Sequence, residues 1–219
     1  MKTKFINYII LFSSITIHIS CSKSREKVTI YHQNQEIGIE KPKSDLVKTT
    51  QKAQEALKFC KKNNFNTDFV ILIDMSLHSG VKRFFVYSFK NKKIIQEYLV
   101  GHGCGTNSWS ADDSKQGAKF SNLDGSHLSS LGKYRIGKRG SSEWGVKTKY
   151  LMHGLENTNN NALKRVIVFH SWERMSDDEI YPKGSPEGWG CPTVSNNSFL
   201  KIDQLLKNSS KPVLMWIYK

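Results

Sequence analysis

The stretch PEGWGCPTVS (186–195) sets Cys191 in a turn of two glycines, a tryptophan and a proline. Upstream, the apolar run RVIVFHSW (165–172) carries His170 near its end. A thiol of ordinary pKa is mostly protonated at neutral pH, so a nucleophilic cysteine needs a base within reach and a third group to orient that base. A histidine at the end of a buried strand is held steadily enough to be that base. Gly188 and Gly190 let backbone N–H groups approach a bound carbonyl, where they can stabilise an oxyanion. Pro192 stiffens the exit from the turn. Taken alone, the turn leaves three roles open for Cys191: half of a disulfide, a metal ligand, or a nucleophile.

The elements that must position these residues are mostly strands. DFVILIDM (68–75), RFFVYSF (83–89) and IIQEYLV (94–100) are rich in Val, Ile, Phe and Tyr and are separated by the breaks HSG and KNKK. GVKTKYLMHGL (145–155), RVIVFH (165–170) and PVLMWIY (212–218) continue the pattern. One helix is expected over 44–64, with Ser44 or Asp45 as cap, Lys61 and Lys62 at its end, and Leu46, Ala53, Leu57 and Cys60 on its inner face. A second helix is expected over 195–208. Between 101 and 142 regular pattern disappears into Gly, Ser, Asn, Asp and Lys. A loop of that length in a compact domain is uncommon unless it serves function, and Phe120, Leu123, Leu128, Leu131 and Tyr134 argue that it is ordered. The fold class expected is mainly β, a mixed β arrangement with one N-terminal and one C-terminal helix.

The chain has 219 residues and a net charge of +14. Lys2 and Lys4 precede the apolar stretch FINYIILFSSITIHI (5–19), followed by Ser20 and Cys21, which has the form of a secretory signal ending at a lipidated cysteine. The domains expected are a signal peptide (1–20), a lipidated or flexible tether (21–43) and one catalytic-size domain (44–219). The body is then exported and periplasmic, tied to a membrane through Cys21. Its positive charge suits anionic surroundings such as headgroups or acidic polymers, while an exported chain without stacking or groove-reading motifs excludes nucleic acid as a partner. Setting Cys21 aside leaves Cys60, Cys104 and Cys191, an odd number, so one thiol stays unpaired or pairs between chains.

Residues 68–219 resemble the murein L,D-transpeptidase catalytic domain, the YkuD-type cysteine enzymes, and in particular their Gram-negative branch. The stretches DFVILIDMS, GHGCGTNS, FSNLDGSHLSSLGKY, LMHGLENTNNNALKRVIVFHSW and EGWGCPTVS carry the likeness, in the family's order. The resemblance implies a β-sandwich of the L,D-transpeptidase type with the cysteine at the base of a cleft, no cofactor and no metal. It implies Cys191 as nucleophile, His170 as base, the carbonyl of Ser171 as partner of the other imidazole nitrogen, and Gly190 with Cys191 as oxyanion donors. The substrate implied is a peptidoglycan stem peptide, cleaved between the L-centre of a diamino acid and D-alanine. Trp189, His153, His102 and Arg165 are candidate substrate contacts with structural alternatives: Trp189 as packing, His153 as a satisfied structural histidine, and Arg165 as the partner of a stem carboxylate or as half of a structural ion pair. Two positions depart from the wider family: Gly188 stands where a serine is usual and Thr193 where an arginine is usual. Two other functions stay open, a wall-binding lipoprotein without turnover and a zinc hydrolase built on His102, Cys104, His170 and Cys191.

Overall fold

The computed structural model describes residues 40–219; the leader, Cys21 and most of the tether lie outside the described residues. The chain runs α1 (Leu46–Lys62), β1 (Phe69–Asp74), β2 (Phe84–Ser88), β3 (Lys93–Tyr98), β4 (Gly132–Ser141), β5 (Thr148–Gly154), β6 (Val168–Ser171), β7 (Thr193–Val194), α2 (Asn196–Lys207) and β8 (Leu214–Tyr218). All eight strands join one mixed sheet in the order β3-β2-β1-β8-β4-β5-β6-β7. The pairs β1–β8 and β6–β7 are parallel and the others antiparallel.

The expected sandwich is this single sheet bent over on itself. Phe84 of β2 and Phe169 of β6 lie near opposite ends of the strand order, yet their rings stack at 5.7 Å. Phe199 of α2 packs 5.2 Å from Phe169, and with Ile202 and Leu206 it fills the space inside the bend. Each such aromatic pair contributes about 0.5–1.5 kcal/mol beyond its burial. On the outer face, Val70, Leu72 and Phe85 pack against Ala53, Ala56 and Cys60 of α1. β1 is therefore covered on both faces, and this is why all six residues of FVILID are buried and apolar up to Asp74.

Helix α1 starts where the Asp45 carboxylate accepts the Lys48 N–H at 3.0 Å, a cap that stabilises by about 1 kcal/mol. Its buried stripe is Thr49, Ala53, Ala56 and Cys60. Leu46, expected on that stripe, is 64% exposed: it is the helix's first residue, ahead of the turns that pack. The stretch taken as patternless to residue 142 ends earlier, because β4 occupies Gly132–Ser141 and pairs with β5 and β8. Residues 99–131 form an ordered loop, pinned by bridges between Gly103 and Gly188 and between Phe120 and Ser129.

That loop also closes the seam between the two edge strands. The Gly101 N–H donates to the Thr193 carbonyl at 2.8 Å. The Gly188 N–H donates to the His102 carbonyl (2.8 Å) and the Cys104 N–H to the Gly188 carbonyl (2.7 Å). The turn before Cys191 is thus held from one side by the start of the loop and from the other by β6. Among the described residues no helix is long and apolar enough to cross a membrane.

Candidate active site

His170 sits on β6 with Lys149 of β5 opposite it on one side and Thr193 of β7 on the other. Phe169 and Ser171 face the core side, so His170 and Val168 share the other face of the sheet. Two residues ahead of Thr193, Cys191 comes against the edge of β6 and also packs against the core cluster. The Val168 N–H donates to Cys191 Sγ at 3.4 Å. His170 and Cys191 line one cavity of about 390 Å³. The His170 Nδ1 lies 2.9 Å from the Ser171 carbonyl, which can only accept, so Nδ1 carries the proton and Nε2 keeps a free lone pair. Burial lowers the His170 pKa below its ordinary 6.5, partly offset by that carbonyl. Burial raises the Cys191 thiol above 9.0, with the Val168 N–H, Arg165 and Lys149 working against the rise. The resting pair is then a neutral thiol and a neutral imidazole.

Two glycines shape the approach to the thiol in opposite ways. Gly190 has φ +98°, and a Cβ there would stand 2.5 Å from the Leu128 carbonyl oxygen, so a side chain is excluded. A Cβ on Gly188 would meet nothing within 4 Å, and Gly188 lines the cavity. Where the resemblance leads one to expect a serine hydroxyl, open space stands instead. Ser129 ties the parts together, its Oγ donating to the Gly190 carbonyl and accepting from the Gly103 N–H, both at 3.1 Å. A third glycine guards His170: at Gly145 (φ +53°) a Cβ would fall 2.1 Å from Ser171 Oγ and 2.7 Å from the Ser171 carbonyl oxygen. Val166, a β-branched residue at φ +54°, turns just before β6, a conformation costing on the order of 1–3 kcal/mol.

Beneath the turn lies a buried polar line. Arg83 donates to the carbonyls of Leu77 (3.0 Å) and Val100 (3.0 Å) and to His102 Nδ1 at 2.7 Å. Its full burial holds the guanidinium down to about 9, with Asp74 and Glu187 opposing. Because Nδ1 accepts, His102 carries its proton on Nε2, which stands 3.7 Å from Glu187 Oε1. Burial and Arg83 push His102 down to about 3, so its ring is neutral. Glu187 accepts from Ser114 N (2.5 Å), Ser114 Oγ (3.0 Å) and Asn107 Nδ2 (3.3 Å). The line joins the residue just ahead of β2, the long loop and the residue just ahead of Gly188.

The sequence-derived residues part company here. Cys191, His170 and Trp189 line the cavity, with Gly190 next to them and the Ser171 carbonyl on the imidazole. His102 is fully buried in the polar line, not part of the cavity wall. His153 lies opposite Arg135 on the β4–β5 pair, away from the cavity lining, its pKa lowered by burial and by Arg135. Arg165 is engaged by protein oxygens: it donates to the carbonyls of Ser121 (2.9 Å) and Leu128 (2.5 Å) and to the hydroxyls of Ser130 (2.6 Å) and Ser126 (3.3 Å). Cys21 lies outside the described residues. Sequence reasoning passed over Trp109, Trp144 and Trp172, which with Trp189 put four of the chain's five tryptophans on the cavity. Trp109 and Trp172 lie 5.1 Å apart and Trp144 lies 6.0 Å from Trp109. Trp109 and Trp144 each stand as a lone aromatic in a polar stretch and Trp172 ends the histidine-bearing run, so no local pattern groups them.

The family model described as the L,D-transpeptidase catalytic domain matches residues 40–218. The chain belongs to that family. Among solved structures, the helical cell shape determining protein Pgp2 from Campylobacter jejuni is similar at 13% identity and TM-score 0.43, over 76% of this chain and 55% of that one. Bd1075 from Bdellovibrio bacteriovorus is similar at 20% identity and TM-score 0.38, over 70% and 49%. An L,D-transpeptidase from Mycobacterium smegmatis is similar at 9% identity and TM-score 0.37, over 69% and 59%. This L,D-transpeptidase domain chain thus spans about half the length of the first of these relatives. No curated protein matches it.

Within this family chain the described cysteines, Cys60, Cys104 and Cys191, are all free. Cys60 is buried in the α1 packing, and burial lifts its thiol to about 12. Among the described residues no group of three or more His, Cys, Asp or Glu is arranged to hold a metal ion. His102 and Cys104, candidates for a zinc set with His170 and Cys191, are not gathered with them.

Proposed function

We propose that this L,D-transpeptidase-family chain is a cysteine peptidyltransferase acting on peptidoglycan stem peptides outside the cytoplasm. The observation that supports it most is the shared cavity of Cys191 and His170, with the imidazole tautomer set by the Ser171 carbonyl. His170 Nε2 takes the thiol proton as Sγ bonds to the carbonyl between the L-centre of a diamino acid and D-alanine. The backbone N–H groups of Gly190 and Cys191 hold the resulting oxyanion. The tetrahedral adduct collapses, the C–N bond breaks, and D-alanine leaves with the proton from His170, giving a thioester. An amine of a neighbouring stem then attacks, His170 removes its proton, and the thiolate departs as the cross-link forms. Water in place of the amine gives carboxypeptidase activity. No cofactor enters these steps. The signal-like leader and Cys21 fit an exported, lipid-anchored domain, and the charge of +14 suits an anionic wall.

The test is a digest of muropeptides carrying diamino acid–D-alanine termini by purified protein. D-alanine release or new cross-links are expected, falling on the order of 10⁴-fold or more in Cys191→Ala. Binding of muropeptides with neither product would reassign the domain to wall binding without turnover.

A further inference from the structure

The cavity wall holds no lysine or arginine, and Arg165, a candidate for a substrate carboxylate or for a structural role, is committed to four protein oxygens. Another arginine stands at the rim. The Arg174 guanidinium lies over the ring of Trp109 at 5.4 Å and over that of Trp172 at 6.0 Å, and both rings line the cavity. Its NH1 donates to Ser110 Oγ at 2.6 Å, and among the described residues no carboxylate pairs with it. The acid next to it in sequence, Glu173, accepts instead from the Gly145 N–H at 3.3 Å. The two indoles hold the guanidinium at the rim, and its single hydrogen bond to Ser110 leaves other N–H donors free. That is the arrangement in which an arginine fork grips a carboxylate.

We infer that Arg174 is a specificity-determining residue that binds the terminal carboxylate of the D-alanine on the acyl donor, an assignment that rests on the transpeptidase reading above. The covalent structure of the donor argues for that carboxylate over any other. Its carbon is three bonds beyond the scissile carbonyl carbon, within about 4 Å. A carbonyl held at Cys191 therefore carries this carboxylate within the same cavity, while other acidic groups of a stem lie further along the chain. The aromatic lining of the cavity suits the alanine methyl.

The experiment compares a stem peptide ending in diamino acid–D-alanine with the same peptide as its C-terminal amide. Wild type is expected to process the acid ~10–100-fold better in kcat/KM, mainly through KM, as loss of a charge-assisted hydrogen bond dictates. Arg174→Ala should remove that preference by weakening the acid ~10-fold or more beyond any change on the amide, and Arg174→Lys should restore part of it. Equal losses on acid and amide, or no loss on either, would overturn the assignment. A second arm measures binding of both peptides by tryptophan fluorescence in Cys191→Ala and Cys191→Ala/Arg174→Ala. A preference for the acid confined to the single variant supports the role of Arg174 even where wild type turns over neither peptide, an outcome that sinks the transpeptidase reading alone. The same affinity for acid and amide in the single variant overturns the inference.

Discussion

At the scale of single residues, the pairing of His170 with a carbonyl decides how the site should respond to pH. The imidazole is held below its ordinary value and the thiol above its own, so both are neutral across the neutral range. Protonating His170 removes the base, and the loss sets in only at pH values below 6.5. Acyl transfer to Cys191 is therefore expected to show a kcat/KM that rises through an acid limb below 6.5 and stays flat to about 9. A profile that instead climbs steadily through pH 8–9 would mean that the thiolate forms without His170. Cys191, His170 and Trp189 were legible because their types and order are written in contiguous stretches. The state of Arg165 was not, since the oxygens it meets belong to residues 121–130, and only the closed loop brings them to it.

At the scale of elements, the turn 186–191 is rigid on one side and roomy on the other. Gly188→Ser is expected to leave stability within ~0.5 kcal/mol of wild type, because the new side chain enters open space. Gly190→Ala should cost ~2 kcal/mol or more, since φ +98° and the Leu128 carbonyl both oppose a Cβ. Urea midpoints of the two variants check this contrast, and similar losses in both would contradict it. Strands β1, β2, β3, β5, β6 and β8 were readable from runs of Val, Ile, Phe and Tyr. β4 was not: GKYRIGKRGS has three glycines, and only Gly132, Tyr134 and Ile136 face inward before a bulge carries the strand into solvent. Its strand character comes from its partners β5 and β8, which no local pattern announces.

At the scale of the whole molecule, four histidines among the described residues are held below their ordinary value: His78, His102, His153 and His170, each mainly by burial. The unfolded chain binds a proton at each near 6.5, while the folded chain resists; His102 resists down to about 3. Stability contributed by keeping these rings neutral is complete above 6.5 and is lost as pH falls below it. Asp203, held down to about 2 by Arg139, Tyr150 and Lys207, adds a loss of the same sign at lower pH. Chemical denaturation is thus expected to show stability falling from pH 7 to pH 5, with His102 alone giving a slope approaching ~1.4 kcal/mol per pH unit. A midpoint that stays level over that interval would show that the His102 ring is open to water in solution.

The group that aims the imidazole belongs to the peptide backbone. Every amino acid that could replace Ser171 brings the same carbonyl, so no codon change at that position deletes the acceptor outright. Inherited damage to this alignment has to arrive from elsewhere, and Gly145 is the exposed flank, because even the methyl of alanine would intrude on the carbonyl it shelters.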